Sequence, residues 1–141
     1  MSQPSGVLLM AYGSPERPED VEAYYTHIRG GRRPTPEQLA ALQARYARIA
    51  GRPSLNAITR EQAAGVQRAL DAAEPGRFRV YVGMKHWHPY IADTVAQMER
   101  DGIRQAVSLV LAPHYSQMSV AVYQQAAREA ASQLRFTAIE H

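Results

Sequence analysis

Apolar residues run without interruption from Gly6 to Ala11 and stop at Tyr12-Gly13-Ser14-Pro15. An apolar run of that length closed by turn residues is the pattern of a strand buried on both faces, and it predicts the first parallel strand. The period then lengthens. From Pro18, the residues Val21, Tyr24, Tyr25 and Ile28 recur at helical spacing until Gly30-Gly31, a glycine pair that ends a helix because it adopts left-handed backbone at little cost. From about Pro36, Leu39, Leu42, Tyr46 and Ile49 form a second stripe, closed by Gly51 and Pro53. Thr59-Arg60-Glu61-Gln62 reads as a capping box that opens a third helix toward Leu70, ending before Pro75-Gly76.

The period then shortens again. Phe78 to Met84 predicts a second strand, Pro89 to Arg100 a helix on Ile91, Val95 and Met98, and Ala106 to Ala112 a third strand. Ser119 to Leu134 reads as a long helix with Val122, Tyr123, Ala126, Ala130 and Leu134 in register, and Phe136 to Glu140 as a fourth strand. Strands that alternate with helices and lie too far apart for hairpins imply a right-handed parallel sheet covered on both faces. The expected fold is an α/β, flavodoxin-like three-layer sandwich with a four-stranded parallel sheet. A fourth buried strand ordinarily leads into a helix that covers it, and nothing follows His141. The expectation is half of something larger, completed by another chain or by more of the same one.

Composition narrows the chemistry. With 141 residues, 45% hydrophobic and 21% charged, the chain has the size and balance of one globular domain. It has no Cys, which excludes disulfides, thiolate metal sites and a thiol nucleophile. No apolar run approaches the roughly 20 residues of a membrane span, and Met1 to Gly6 lacks the features of a signal peptide; a cytoplasmic protein is expected. The net charge of +3 comes almost wholly from arginine, Lys85 being the one lysine. Arginine forks suit carboxylates and phosphates, although genome composition produces the same bias.

In open parallel sheets, ligands bind beyond the carboxyl ends of the strands. Those ends are Tyr12-Gly13-Ser14-Pro15, Lys85-His86-Trp87-His88-Pro89 and Pro113-His114-Tyr115-Ser116. The first turn has a lone Gly13 in place of a phosphate-cradling glycine motif, so nucleotide binding is set aside. His86-x-His88 has a spacing that two metal ligands could use, and one that a structural and a solvated histidine would share. His114 has the same ambiguity, while His27 and His141 suggest no role. Tyr12 is either an ordinary core-rim tyrosine or a phenol able to approach a metal or a planar ligand. Arg29, Arg32 and Arg33 form either a solvated loop or a carboxylate clamp, and no nucleic-acid-binding module accompanies them.

Taken together, LLMAYGSP, YYTHIRGGRRP, ARYARIAGRPSL, ITREQ, YVGMKHWHPYI, DGIRQAVSLVLAPHYS and SVAVYQQAAREA resemble the ferrochelatase family, and within it the coproporphyrin type of Gram-positive bacteria. The resemblance covers the whole chain and only the N-terminal part of that family's length. It implies insertion of ferrous iron into coproporphyrin III to give coprohaem, a step of haem biosynthesis, in a cleft between two flavodoxin-like halves. Residues 1–141 are then the N-terminal chelatase domain, with the C-terminal partner domain outside the chain. No prosthetic group is implied; Fe2+ and coproporphyrin III are substrates.

Carried over residue by residue, the resemblance implies that Tyr12 lies axial to the porphyrin iron. It implies that Arg29, Arg45, Tyr46 and Tyr123 contact the macrocycle, and that Lys85 and His86 face the cleft and assist metal or proton handling. Four propionates on the substrate account for the arginine and hydroxyl groups, which fix carboxylates in orientation. One departure is Arg52-Pro53-Ser54-Leu55, where the family reads Ser before Pro. Ser54 is the hydroxyl left to make that contact. A second departure is the family's metal-delivering His and Glu, which belong to the C-terminal half, so this chain alone is expected to bind porphyrin better than it metallates it. Two other readings follow from the same residues: a porphyrin- or haem-binding module without turnover, and a short chelatase that builds its cleft from a second copy. The expected partners are a porphyrin and the missing half or a second copy, without nucleic acid or a membrane span.

Overall fold

A computed structural model describes residues 2–49, 52, 54–112 and 117–139, with the backbone alone at 117 and 118. Four strands, β1 (Ser5–Ala11), β2 (Phe78–Met84), β3 (Gln105–Val110) and β4 (Arg135–Ile139), form one sheet in the order β2-β1-β3-β4. Every pairing is parallel, with Leu9 opposite Val82 on one side and Leu109 on the other. Among the described residues five α-helices connect them: α1 (Val21–Ile28), α2 (Pro36–Ala47), α3 (Leu55–Ala73), α4 (Ile91–Arg100) and α5 (Gln117–Ala130). This is the flavodoxin-like strand order through its fourth strand, and its order reverses between β1 and β3, where such sheets open a crevice at their carboxyl ends.

The continuous apolar strands are explained by the two faces they must fill. On one face Leu8, Met10 and Ala106 pack with Ile91, Val95 and Met98 of α4 and Tyr123 and Ala127 of α5, and Phe136 of β4 leans on the same cluster. Gly6 lies beneath Met98, whose terminal methyl stands 2.6 Å from where a Cβ would be, so this helix closes on the strand only over glycine. The other face carries buried Leu9 and Ala11 beneath the side that α3 covers along β2. Gln67 of α3 accepts from the Val80 N–H at 2.8 Å and donates to the Phe78 carbonyl at 2.9 Å, pairing backbone groups on the outer edge of β2.

Four expectations are corrected. The sheet is not covered throughout on both faces: among the described residues the β3–β4 half of the second face has no helix, and Ile139 at its edge is 42% exposed. The third helix begins at Leu55, where Ser54 accepts the Ala57 N–H at 3.0 Å as N-cap. Thr59 lies inside it and donates to the Leu55 carbonyl, because Ser54 offers a cap one turn earlier and wins. The long helix stops at Ala130, and Leu134 is buried in the connection to β4. The second stripe is weaker than its spacing suggests, since no residue of α2 is fully buried and Ile49 lies past its end, exposed. Pro53, His114 and His141, with Glu140 at the end of the expected fourth strand, fall outside the described residues.

Candidate functional site

The ladder between β1 and β2 continues past both strands. The Lys85 N–H donates to the Ala11 carbonyl and the His86 N–H to that of Tyr12, both at 2.9 Å. Backbone pairing therefore fixes His86 beside Tyr12 at the carboxyl end of the sheet, and their rings meet edge to face with centroids 4.6 Å apart. Gly13 then turns the chain at φ +86°, where a Cβ would lie 3.0 Å from the Trp87 backbone nitrogen; only glycine has both the conformation and the room. The buried Tyr24 hydroxyl of α1 donates to the Gly13 carbonyl at 3.0 Å and holds the turn from behind.

Around this pair the side chains converge. Lys85 Nζ lies 5.4 Å from the centroid of Tyr123, a cation over a ring face. Tyr123 is buried, and burial pushes its hydroxyl up to about 12, so it is a neutral hydroxyl at physiological pH. Burial is also the first cause, with Lys85 and then His27 adding to it, that holds His86 down at about 4. Its imidazole is accordingly neutral at pH 7, with a lone pair available. Tyr12 is 42% exposed, and its ring is open to a ligand lying over this end of the sheet.

A second group lies on the helices. Arg29 caps the end of α1 and donates to Gln38 Oε1 at 2.9 Å, an oxygen that also accepts the Thr35 N–H within the capping box of α2. Tyr46 is half-buried against Tyr25, with ring centroids 6.4 Å apart. Its hydroxyl is pushed up to about 12, by burial first and by a hydrogen bond with Tyr25 second. Tyr46 and Ser54 line one groove of about 540 Å³ together with Ser14, Ile49, Arg52 and Leu55. The Ser54 oxygen is used as a cap acceptor, which leaves its proton to donate. Arg45 is exposed near the end of α2.

The structure thus joins Tyr12, Lys85, His86 and Tyr123 by direct ring and backbone contact, and joins Tyr46 and Ser54 across one groove. Between them stands Tyr24, raised by burial first and then by the nearby phenols of Tyr46, Tyr12, Tyr25 and Tyr123. His88 does not pair with His86; its ring packs on Trp87 and Tyr90. Among the described residues there is no cluster of three or more His, Asp or Glu able to hold a metal ion, and no helix is long and apolar enough to cross a membrane.

Of two further residues here, His27 was given no role in the sequence reading and Asn56 was not singled out by it. His27 Nδ1 lies 3.0 Å from His86 Nδ1, and its ring stacks on Tyr90 at 4.8 Å; its place one turn after the inward-facing Tyr24 was the available signal. Asn56, fully buried, accepts the Ser14 N–H at 2.9 Å and donates to the Ser14 carbonyl at 2.7 Å. It anchors the loop after β1 to the start of α3, so the strand-end group and the helix-borne group share a strut. Nothing in its local sequence announces a contact across 42 positions.

Comparison with known proteins adds an independent line. The family model described as Ferrochelatase matches residues 4–141. The coproporphyrin III ferrochelatase of Oceanobacillus iheyensis is 51% identical over 127 residues, which cover 89% of this chain and 41% of that protein. The coproporphyrin III ferrochelatase of Listeria monocytogenes is 47% identical over 135 residues, covering 95% and 44%. A protein of Herpetosiphon aurantiacus named ferrochelatase is 49% identical over 124 residues, covering 88% and 41%. The chain spans about two fifths of the length of these curated relatives.

Proposed function

The chain belongs to the ferrochelatase family, and from that premise we propose that it forms the porphyrin wall of an enzyme that inserts ferrous iron into coproporphyrin III. Residues 1–141 act as the N-terminal chelatase domain of a cytoplasmic protein, and the remainder of the family's length completes the cleft. The observation that carries this reading is the set of groups at the carboxyl ends of β1 and β2. Tyr12 and His86 stand edge to face there, with Lys85 over the ring of Tyr123; Tyr46 and Ser54 line one groove, and Arg29 at the end of α1 is bound to the neutral Gln38 amide.

Insertion of Fe2+ into a free-base porphyrin forms the bonds from iron to the four nitrogens and releases two pyrrole protons, with no change of oxidation state. The macrocycle is planar and apolar with carboxylates at its rim, so its site needs an open aromatic surface bordered by cationic and hydroxyl donors. Tyr12 supplies the phenol on the axial side of the iron. Neutral His86 offers a lone pair to a departing pyrrole proton, and Lys85 sets the positive field beside it. Arg29 and Arg45 grip propionates, while the Tyr46, Tyr123 and Ser54 hydroxyls donate to the periphery. Delivery of the hydrated iron requires ligands from the rest of the enzyme, so the chain by itself binds porphyrin and metallates it poorly.

An optical titration of the chain with coproporphyrin III tests this. Saturable binding that weakens with Arg29→Ala is the expected result. Binding that is absent, or indifferent to Arg29→Ala, would remove the porphyrin wall from these residues. Rapid appearance of coprohaem after adding Fe2+ to the chain alone would show that it carries the whole metal-inserting machinery and contradict the division of labour.

A further inference from the structure

His27 and His86 lie on different elements, 59 positions apart, and meet nitrogen to nitrogen at Nδ1 over 3.0 Å. At that distance one Nδ1 must carry the proton and the other present its lone pair. We infer that His27 is a positioning residue for His86, fixing the tautomer and tilt of its imidazole so that Nε2 is the one ring nitrogen left to meet a ligand. The inference rests on the reading that His86 works on the substrate.

The ring of His86 is gripped from two directions. Its main chain is bound to the carbonyl of Tyr12, directly after β1, and its Nδ1 is bound to α1 through His27. Unheld, a neutral imidazole on such a loop rotates about its side-chain bonds and exchanges tautomers. His27 is itself steadied, because its ring lies nearly parallel to Tyr90, 21° between planes. Tyr90 caps α4 directly after Pro89, whose carbonyl accepts the Met84 N–H at 2.7 Å. The support therefore traces back to the end of β2. A carboxylate commonly orients a working histidine; an imidazole does so here without placing a negative charge beside a site meant for an anionic ligand.

Three substitutions test the inference in the protein as the cell makes it. His27→Phe keeps the ring on Tyr90 and removes the hydrogen bond, His27→Asn puts an amide donor and acceptor near the lost Nδ1, and His86→Phe removes the positioned group. With 15N-labelled histidine, His86 is expected to give two well-separated ring nitrogen signals, which draw together in His27→Phe and separate again in His27→Asn. The kcat for iron insertion is expected to fall about tenfold in His27→Phe, with the KM for coproporphyrin III held within about twofold, to recover in His27→Asn, and to fall no further when His27→Phe is added to His86→Phe. Unmoved His86 signals in His27→Phe, or an equal loss of kcat with and without His86, would overturn the inference. If His86→Phe alone leaves kcat intact while the signals still respond to His27→Phe, the positioning contact is upheld and the catalytic role of His86 is the part that fails.

Discussion

Two sets of charged side chains at opposite ends of the sheet meet different partners. Near the amino ends of β3 and β4, Glu99 accepts the N–H groups of Ser132, Gln133 and Leu134 at 2.8 to 2.9 Å and the Ser132 hydroxyl at 2.9 Å. Asp101 close by accepts from the Tyr81 hydroxyl and from Gln97 at 2.8 Å, with Arg79 at 3.4 Å. These carboxylates are consumed by the chain's own donors. At the carboxyl ends, no ion pair is found for Arg29, Arg45 or Lys85 among the described residues. Lys85 faces a ring and Arg29 a neutral amide oxygen. Glu99 and Asp101 are met from within the chain, whereas Arg29, Arg45 and Lys85 are left without a carboxylate and so stand reserved for an anion from outside.

The sharpest way to break the comparison is at the turn that builds the reserved end. Gly13→Val places a branched side chain at φ +86° against the Trp87 backbone. It is expected to cost about 2–3 kcal/mol of stability in urea unfolding, and to abolish porphyrin binding in any protein that still folds. Arg29→Ala should weaken coproporphyrin III binding about tenfold, roughly 1.4 kcal/mol, in the same optical titration while leaving the unfolding midpoint unchanged. Glu99→Ala should do the reverse, leaving binding unchanged and lowering stability by about 1 kcal/mol, a figure reduced for solvent screening at a partly exposed carboxylate.

The smallest effect is a pH slope. The backbone donors, Gln133 first, hold Glu99 at about 2, below its usual 4.5. The folded state therefore binds this proton less readily than the unfolded chain, and the Glu99 contribution is complete above pH 4.5 and disappears as pH falls toward 2. Unfolding followed across that window should be less steep in Glu99→Gln than in the parent chain.

What could be read from the sequence follows from where the information lies. The strand β1 was legible because both of its faces are filled, which writes a continuous apolar run into it, while β2 and β3, broken by Arg79 and Ser108, were legible as short mostly apolar runs between helical stretches. The strand-end residues Tyr12, Lys85 and His86 were legible for a related reason: a turn after such a run is where this architecture opens. The start of α3 was misread because Ser54 has no Glu or Gln three positions on, while Thr59 does. Leu134 was assigned to α5 because a buried residue in a connection can fall in helical register by chance. The partners of His27 and Asn56 were not legible, because each contact is made by tertiary packing between residues 40 to 60 positions apart, and the helical register of His27 with Tyr24 signals only which way it faces.

The most direct test of the reserved end is the absorption spectrum of coprohaem bound to this chain and to Tyr12→Phe. The account predicts saturable binding to both, with the iron-dependent bands of the parent complex altered when the phenolic oxygen is removed. Identical spectra from the two proteins would place the macrocycle away from Tyr12, and with it away from the carboxyl ends of β1 and β2.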